Sequence, residues 1–194
     1  MWSRVIAGAV VAGGLVAAAQ PASAQLMDER FTGGAPMNRI QTFMSGGGPI
    51  AKSTVNLTGA YGAGTIVINT TERRLYYVLG GGQAISYGIG VGRVGFTWAG
   101  VTVISAKREW PDWTPPAQML RRRPDLPRHM RGGVENPLGA RAMYLGSSLY
   151  RIHGSNEPET IGQAVSSGCF RMTNEDVVDL FARVRIGTKV VVLR

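Results

Sequence analysis

From Thr65 to the end of the chain, short runs of β-branched and aromatic residues follow one another, and only one stretch carries a sustained helical period. A chain with many strands and one or two helices has to bury strand faces against one another, which narrows the fold to a mostly β domain, a sandwich or a bent, partly closed sheet. Thr65-Ile66-Val67-Ile68-Asn69 and Leu75-Tyr76-Tyr77-Val78-Leu79 flank a polar turn and predict a hairpin. Further strands are expected at 84–91, 101–107, 141–145, 149–153 and 188–193, with Gly146-Ser147-Ser148 turning 141–145 into 149–153. The helical period begins at Thr173, an N-cap with Asp176 three residues on. Val177, Leu180, Phe181 and Val184 then form one apolar face, and Gly187 lies just past the end. A shorter helix is expected from Ile161 to Val165.

The first 24 residues have the form of a signal peptide: Arg4, an apolar run from Val5 to Ala19 and a small-residue exit at Ala22-Ser23-Ala24. The run contains three glycines and is shorter than the roughly 20 residues a membrane span needs, and no later stretch reaches that length. Residues 25–60, rich in Gly, Ser, Thr, Pro and Asn, are expected to be a flexible linker before a folded domain over 61–194. Cleavage after Ala24 leaves 170 residues with a formal charge of +8, enough for one good core. An exported, soluble protein without a transmembrane segment is expected, which argues against a cytosolic nucleotide enzyme or a transporter.

Cysteine usage narrows the chemistry. The single cysteine, Cys169, excludes an internal disulfide, and one Cys with two His does not make the usual tetrahedral zinc set. The run Gly90-Val91-Gly92-Arg93-Val94-Gly95 spells a dinucleotide-binding pattern, but that motif needs a helix behind it and residues 96–105 have no helical period. Arg121, Arg122, Arg123, Arg128 and Arg131 form a basic cluster without interleaved aromatics, a solvated loop or an attraction to an anionic envelope polymer, with nucleic acid not expected as a partner. The cluster lies in a proline-rich segment, Arg108 to Gly139, long enough for a lid over a site or a surface excursion pinned by its prolines and tryptophans.

Cys169 sits in Ser166-Ser167-Gly168-Cys169-Phe170-Arg171-Met172, a polar turn just before the capped helix, whereas a buried structural cysteine would more typically lie in an apolar run. Gly168 permits close approach to the backbone, and the N–H groups of Gly168 and Cys169 are candidate donors to a developing oxyanion. A nearby imidazole would take the thiol proton and make the thiolate nucleophile. His153 ends a strand in Tyr150-Arg151-Ile152-His153-Gly154, while His129 lies in the Pro/Arg segment.

His153-Gly154 followed by Ser166-x-Gly168-Cys169-Phe170-Arg171-Met172, with Cys169 sixteen residues after the histidine, resembles the signature of L,D-transpeptidases of the YkuD type. Asn156-Glu157-Pro158, Ile161-Gly162, Asn174-Glu175-Asp176-Val177, Arg73-Arg74-Leu75-Tyr76 and Asn136-Pro137-Leu138-Gly139 extend the resemblance from about Gly64 to Arg194. It implies a bent, sandwich-like β domain in the periplasm, taking part in peptidoglycan biosynthesis, cell-wall organisation and cell shape without metal or cofactor. Cys169 would attack the third residue of a tetrapeptide stem, expel the terminal D-alanine and hold a thioester, a thiol that carbapenems also acylate. An amine of a second stem would give a 3→3 cross-link, water would give carboxypeptidase trimming, and a lysine of an envelope protein would give its attachment to the wall. A non-catalytic wall-binding module is the remaining alternative.

Carried over by position, Cys169 is the nucleophile, His153 the general base and then acid, and Gly168 an oxyanion donor, with Ser167 in the motif loop. Substrate contacts are expected from Arg171, Gly154, Ser155 and Ser166. Arg171 suits a stem carboxylate, or alternatively pairs with the acidic start of the following helix. Ser166 is expected to brace the loop, and His153 to be oriented by the Gly154 carbonyl or the Ser155 hydroxyl. Many relatives carry a second histidine where this chain has Ser167, which leaves His153 the motif's only imidazole.

Overall fold

The alternating runs build one large open sheet and one small one. A computed structural model describes residues 49–194; the expected signal peptide and most of the expected linker lie outside the described residues. The strands are β1 (Ser53–Asn56), β2 (Ile66–Asn69), β3 (Arg74–Gly80), β4 (Gln83–Gly88), β5 (Val91–Gly92), β6 (Gly100–Glu109), β7 (Arg141–Leu145), β8 (Arg151–His153), β9 (Ala164–Ser166), β10 (Phe170–Arg171) and β11 (Lys189–Leu193). Two helices, α1 (Ala117–Arg122) and α2 (Asn174–Arg183), complete the described elements with a 3-10 turn at Pro158–Thr160. Nine strands form one sheet in the order β1-β4-β3-β2-β11-β6-β7-β8-β10, and β5 and β9 pair separately.

The ten-residue β6 makes the bend. Residues 100–103 pair with β11, residues 104–109 pair with β7, and the register slips between Ile104 and Ala106. A strand that passes from one ladder to the next through such an irregularity turns a flat sheet into a corner. Inside the corner, Ile66, Ile68, Leu75, Tyr87, Ile104, Leu145, Ile152 and Phe170 are almost wholly buried against the apolar face of α2. This is the mostly β, bent architecture the sequence pattern predicts.

α2 forms as its sequence requires. Thr173 Oγ1 accepts from the Asp176 N–H at 3.1 Å, Val177 and Leu180 are fully buried, and Val184 is the C-cap. Lys107 from β6 donates to the Phe181 and Val184 carbonyls at 2.6 Å each, satisfying two orphan acceptors at the end of the helix. At the other end Asn174 is buried, its Oδ1 accepting from the Ala140 N–H at 2.7 Å and its Nδ2 donating to the Ser155 carbonyl at 2.9 Å. That amide fixes the helix start to the backbone just beyond β8, where His153 ends the strand.

Three expectations are corrected. Residues 53–56, inside the segment expected to be linker, form β1 on the edge of β4, because β4 offers an unpaired edge to an extended stretch. The expected strand 84–91 stops at Gly88, and Val91–Gly92 pairs with β9 instead. No helix runs from Ile161 to Val165: Gly162 has φ +87, and the chain passes from the 3-10 turn into strand β9. The G-x-G-x-x-G run leads into a turn and then β6, so no helix N-terminus stands behind it to hold a phosphate.

The proline-rich segment is pinned at its base. Trp113 and Met130 exchange backbone hydrogen bonds of 2.8 Å, and buried Asn136 donates to the carbonyls of Pro111 and Arg131 at 3.1 and 3.0 Å. Beyond that base the chain forms α1, whose Arg122 lies 5.4 Å from the Phe96 ring centroid, a ring that Arg93 also approaches at 4.9 Å. His129 is exposed there, beside Asp112 at 3.5 Å and Thr114 at 3.3 Å.

Candidate active site

β10 and β8 are parallel neighbours, with Phe170 abreast of Ile152 and Arg171 abreast of His153. Phe170 and Ile152 point into the core, so strand alternation turns Cys169, Arg171, Arg151 and His153 to the opposite face. The sheet thereby brings together residues 151–153 and 169–171. Both the Cys169 thiol and the His153 imidazole lie within the electrostatic reach of the same two guanidiniums, Arg151 and Arg171.

His153 is buried, at 5% exposure. Its Nδ1 lies 2.6 Å from the Gly154 carbonyl oxygen, which can only accept, so Nδ1 carries the proton and Nε2 is the free base. Between the two orienters the sequence leaves open, the structure selects the Gly154 carbonyl. The Ser155 hydroxyl is buried and accepts from the Glu157 N–H at 3.0 Å instead. Burial pushes the imidazole pKa down to about 3, against the raising effect of the Gly154 bond and with help from the two arginines.

Cys169 is half-buried, its Sγ 3.8 Å from the Leu149 carbonyl oxygen. Burial pushes the thiol pKa up, and the Arg151 and Arg171 charges oppose the rise. A raised thiol beside a depressed imidazole rests as a neutral pair, not as thiolate and imidazolium.

The turn before Cys169 is held from inside. Ser166 is buried; its hydroxyl donates to the Cys169 carbonyl at 2.6 Å and accepts from the Gly168 N–H at 3.1 Å. The expected bracing by Ser166 is present, but the Gly168 N–H expected to serve an oxyanion is already engaged by that hydroxyl. Gly154 and Ser155 are likewise packed inward against Asn174 and the 154–157 turn, bracing the site where substrate contact was expected. Ser167 is half-buried. Arg171 donates to Glu157 Oε2 at 2.8 Å and lies 3.4 Å from Thr160 Oγ1, so its ion-pair partner is the 157 loop and not the acidic start of α2.

An aromatic wall covers the turn. Trp98 stacks on Tyr150 with ring centroids 5.0 Å apart and donates its indole N–H to the Gly168 carbonyl at 3.3 Å. Gly168 has φ +106, and a Cβ there would collide with the Tyr150 ring and crowd the Phe96 carbonyl. Gly168→Ala is expected to cost about 1–3 kcal/mol of stability and to part the Trp98–Tyr150 stack. Denaturant unfolding followed by tryptophan fluorescence measures both, and an unchanged midpoint would refute the tight fit.

Sequence reasoning passed over Arg151, Trp98, Tyr150 and Asn174. Arg151 was within reach of it: in Arg151-Ile152-His153 the inward Ile152 puts its two neighbours on one face.

Residues 63–192 match the YkuD family, described as the L,D-transpeptidase catalytic domain. The chain is 41% identical over 135 residues to the probable L,D-transpeptidase YcfS of Escherichia coli K12, covering 64% of this chain and 42% of that relative, so it spans less than half of the curated protein's length. It is 47% identical to a crystal structure from Brucella melitensis titled a probable carnitine operon oxidoreductase, with TM-score 0.51, covering 78% of this chain and 98% of that one. An L,D-transpeptidase structure from Mycobacterium smegmatis superimposes with TM-score 0.54 at 16% identity, covering 67% of this chain and 58% of that one, a likeness of fold.

Proposed function

The chain belongs to the YkuD family of L,D-transpeptidase catalytic domains, and from that premise we propose that it is a cysteine-dependent enzyme of the periplasm that acts on peptidoglycan tetrapeptide stems. The observation that carries this is the pairing of residues 151–153 with 169–171, which sets a thiol and a free imidazole Nε2 on one face under the same two positive charges. The signal-peptide form of residues 1–24 and the net positive charge agree with a destination beside an anionic wall polymer.

The reaction runs in two halves. As Cys169 Sγ closes on the carbonyl carbon of the third stem residue, its proton passes to His153 Nε2, because the resting pair is neutral. The Cys169 N–H is the remaining motif donor for the oxyanion, the Gly168 N–H being held by Ser166. The tetrahedral intermediate collapses with cleavage of the C–N bond; the D-alanine amine takes the proton from His153 and leaves, and a thioester remains. In the second half an amine of another stem attacks the thioester, His153 takes its proton, the C–S bond breaks, and the departing thiolate takes that proton back from His153, restoring the neutral pair. The product is a 3→3 cross-link, or an attached protein where the amine is a lysine of an envelope protein.

Intact-protein mass spectrometry of the chain incubated with a disaccharide-tetrapeptide, and separately with a carbapenem, tests this. An adduct on Cys169 with loss of D-alanine from the substrate is expected. A dimeric product supports cross-linking, whereas a tripeptide corrects the reaction to trimming. A folded protein with a titratable thiol that forms no adduct would point to a wall-binding module.

A further inference from the structure

The guanidinium of Arg151 has no part in the scheme above, yet strand register sets Arg151 beside the residue that carries the reacting sulfur. Arg151 is one step along the β8–β10 ladder from the Ile152–Phe170 pair, which puts it abreast of Cys169. Its charge and its backbone and side-chain donors favour the ionised Cys169 thiol, opposing the rise that burial imposes. The Tyr144 ring lies 5.2 Å from the guanidinium carbon and limits where that group can go. Arg171, the other cation facing the thiol, is neutralised by Glu157 at 2.8 Å. Among the described residues no carboxylate forms an ion pair with Arg151.

Arg151 Nε is moreover buried with no hydrogen-bond partner among the described residues. Buried donors are nearly always satisfied, so an orphan beside a nucleophile calls for an acceptor that appears during the reaction. The neutral thiol is a poor acceptor, and its S–H is directed at the Leu149 carbonyl. A sulfur that has lost its proton is an anion, and a charge-assisted bond to guanidinium is then available.

We propose that Arg151 is a catalytic residue whose guanidinium stabilises the Cys169 thiolate, both as the thiol is deprotonated and as sulfur leaves the thioester. This rests on Cys169 being the nucleophile. In the first half the S–H bond breaks, the proton goes to His153 Nε2, and the electron pair stays on sulfur until it forms the C–S bond. In the second half the C–S bond breaks and the pair returns to sulfur, again beside Arg151. Arg151 itself neither gives nor takes a proton. The charged groups acting on the sulfur are Arg151 from β8 and Arg171 from β10, with the titratable His153 on the same face, so among the described residues removing Arg151 removes the positive charge that no carboxylate compensates.

Alkylation of Cys169 in the full chain, followed from pH 6 to 11 with iodoacetamide and with iodoacetate, tests this without any peptide substrate. Arg151→Met is expected to raise the midpoint by about one pH unit. Its rate at pH 7 should fall about threefold to tenfold, less than the loss of thiolate alone because a more basic sulfur is the better nucleophile. Arg151→Lys should recover part of the loss, and Arg151→Gln serves in place of Arg151→Met should that variant not fold. An unchanged midpoint in the charge-removing variant overturns the proposal. So does a loss confined to iodoacetate, which would make Arg151 a receiver of substrate carboxylate. Because alkylation needs no transpeptidation, failure to turn over a stem peptide would strike the proposed function and leave this result standing.

Discussion

Cys169→Ser folds normally and loses thioester formation, with turnover lower by roughly 10⁴-fold or more. The fold survives because serine is nearly isosteric and the turn around it is held by other atoms: Ser166 grips the Cys169 carbonyl and the Gly168 N–H, and Trp98 holds the Gly168 carbonyl. The chemistry fails because a hydroxyl is far harder to ionise than a thiol, while the only imidazole in the motif is a weak base, its pKa pushed down to about 3. Matching thermal melts for wild type and variant, together with chromatography of released D-alanine, make the comparison. Retained turnover would sink the assignment of the nucleophile.

The second large effect is at His153. His153→Gln loses acylation by about 10²–10⁴-fold, the usual worth of a positioned general base, whereas His129→Ala in the proline-rich segment changes it little. His129 is exposed and lies beside Asp112 and Thr114, so it belongs to the packing of that segment. The reverse result would move the base into the segment. A pH signature accompanies the loss. In the unfolded chain the imidazole gains its proton as pH falls below about 6.5, while the buried native imidazole stays neutral down to about 3. Between those values the unfolded state binds more protons, so acid lowers stability through this window and the contribution is fully present above it. His153→Gln removes that dependence, and its melting temperature should fall less than that of wild type between pH 6.5 and pH 4.

The parts of this picture that sequence discloses are those decided locally. α2 shows itself because the Thr173 cap, the apolar face and the exit at Val184 all lie within a dozen residues. The β2–β3 and β7–β8 hairpins do so because a polar turn separates two strand-like runs. β9 and β10 do not, since three-residue and two-residue strands are defined by partners elsewhere in the chain: β5 for β9, and β8 with the Gly90 bridge for β10. At the site, Cys169 and His153 stand out by residue type and spacing, but the pairing of Arg171 with Glu157 spans fourteen positions and follows from a loop path no pattern encodes. The partner of the Gly168 N–H was not legible for a different reason. Ser166, two residues earlier, offers the short local acceptor that turn serines commonly provide, and it competes with any ligand for that donor.

β11, residues 189–193, is the fifth strand of nine, bonded in parallel to β2 and antiparallel to β6. Until that strand is delivered, β2 and β6 have no strand between them, and the two sides of the nine-stranded sheet lack the ladders that make it continuous. Synthesis from the amino end therefore makes every other strand before the one that locks them. Such long-range closure slows folding, because the entropy of a long loop must be overcome before its contacts count. A cut before Lys189 would remove both of those ladders at once, and with them the tie between the β2 side of the sheet and the side that carries residues 151–153 and 169–171.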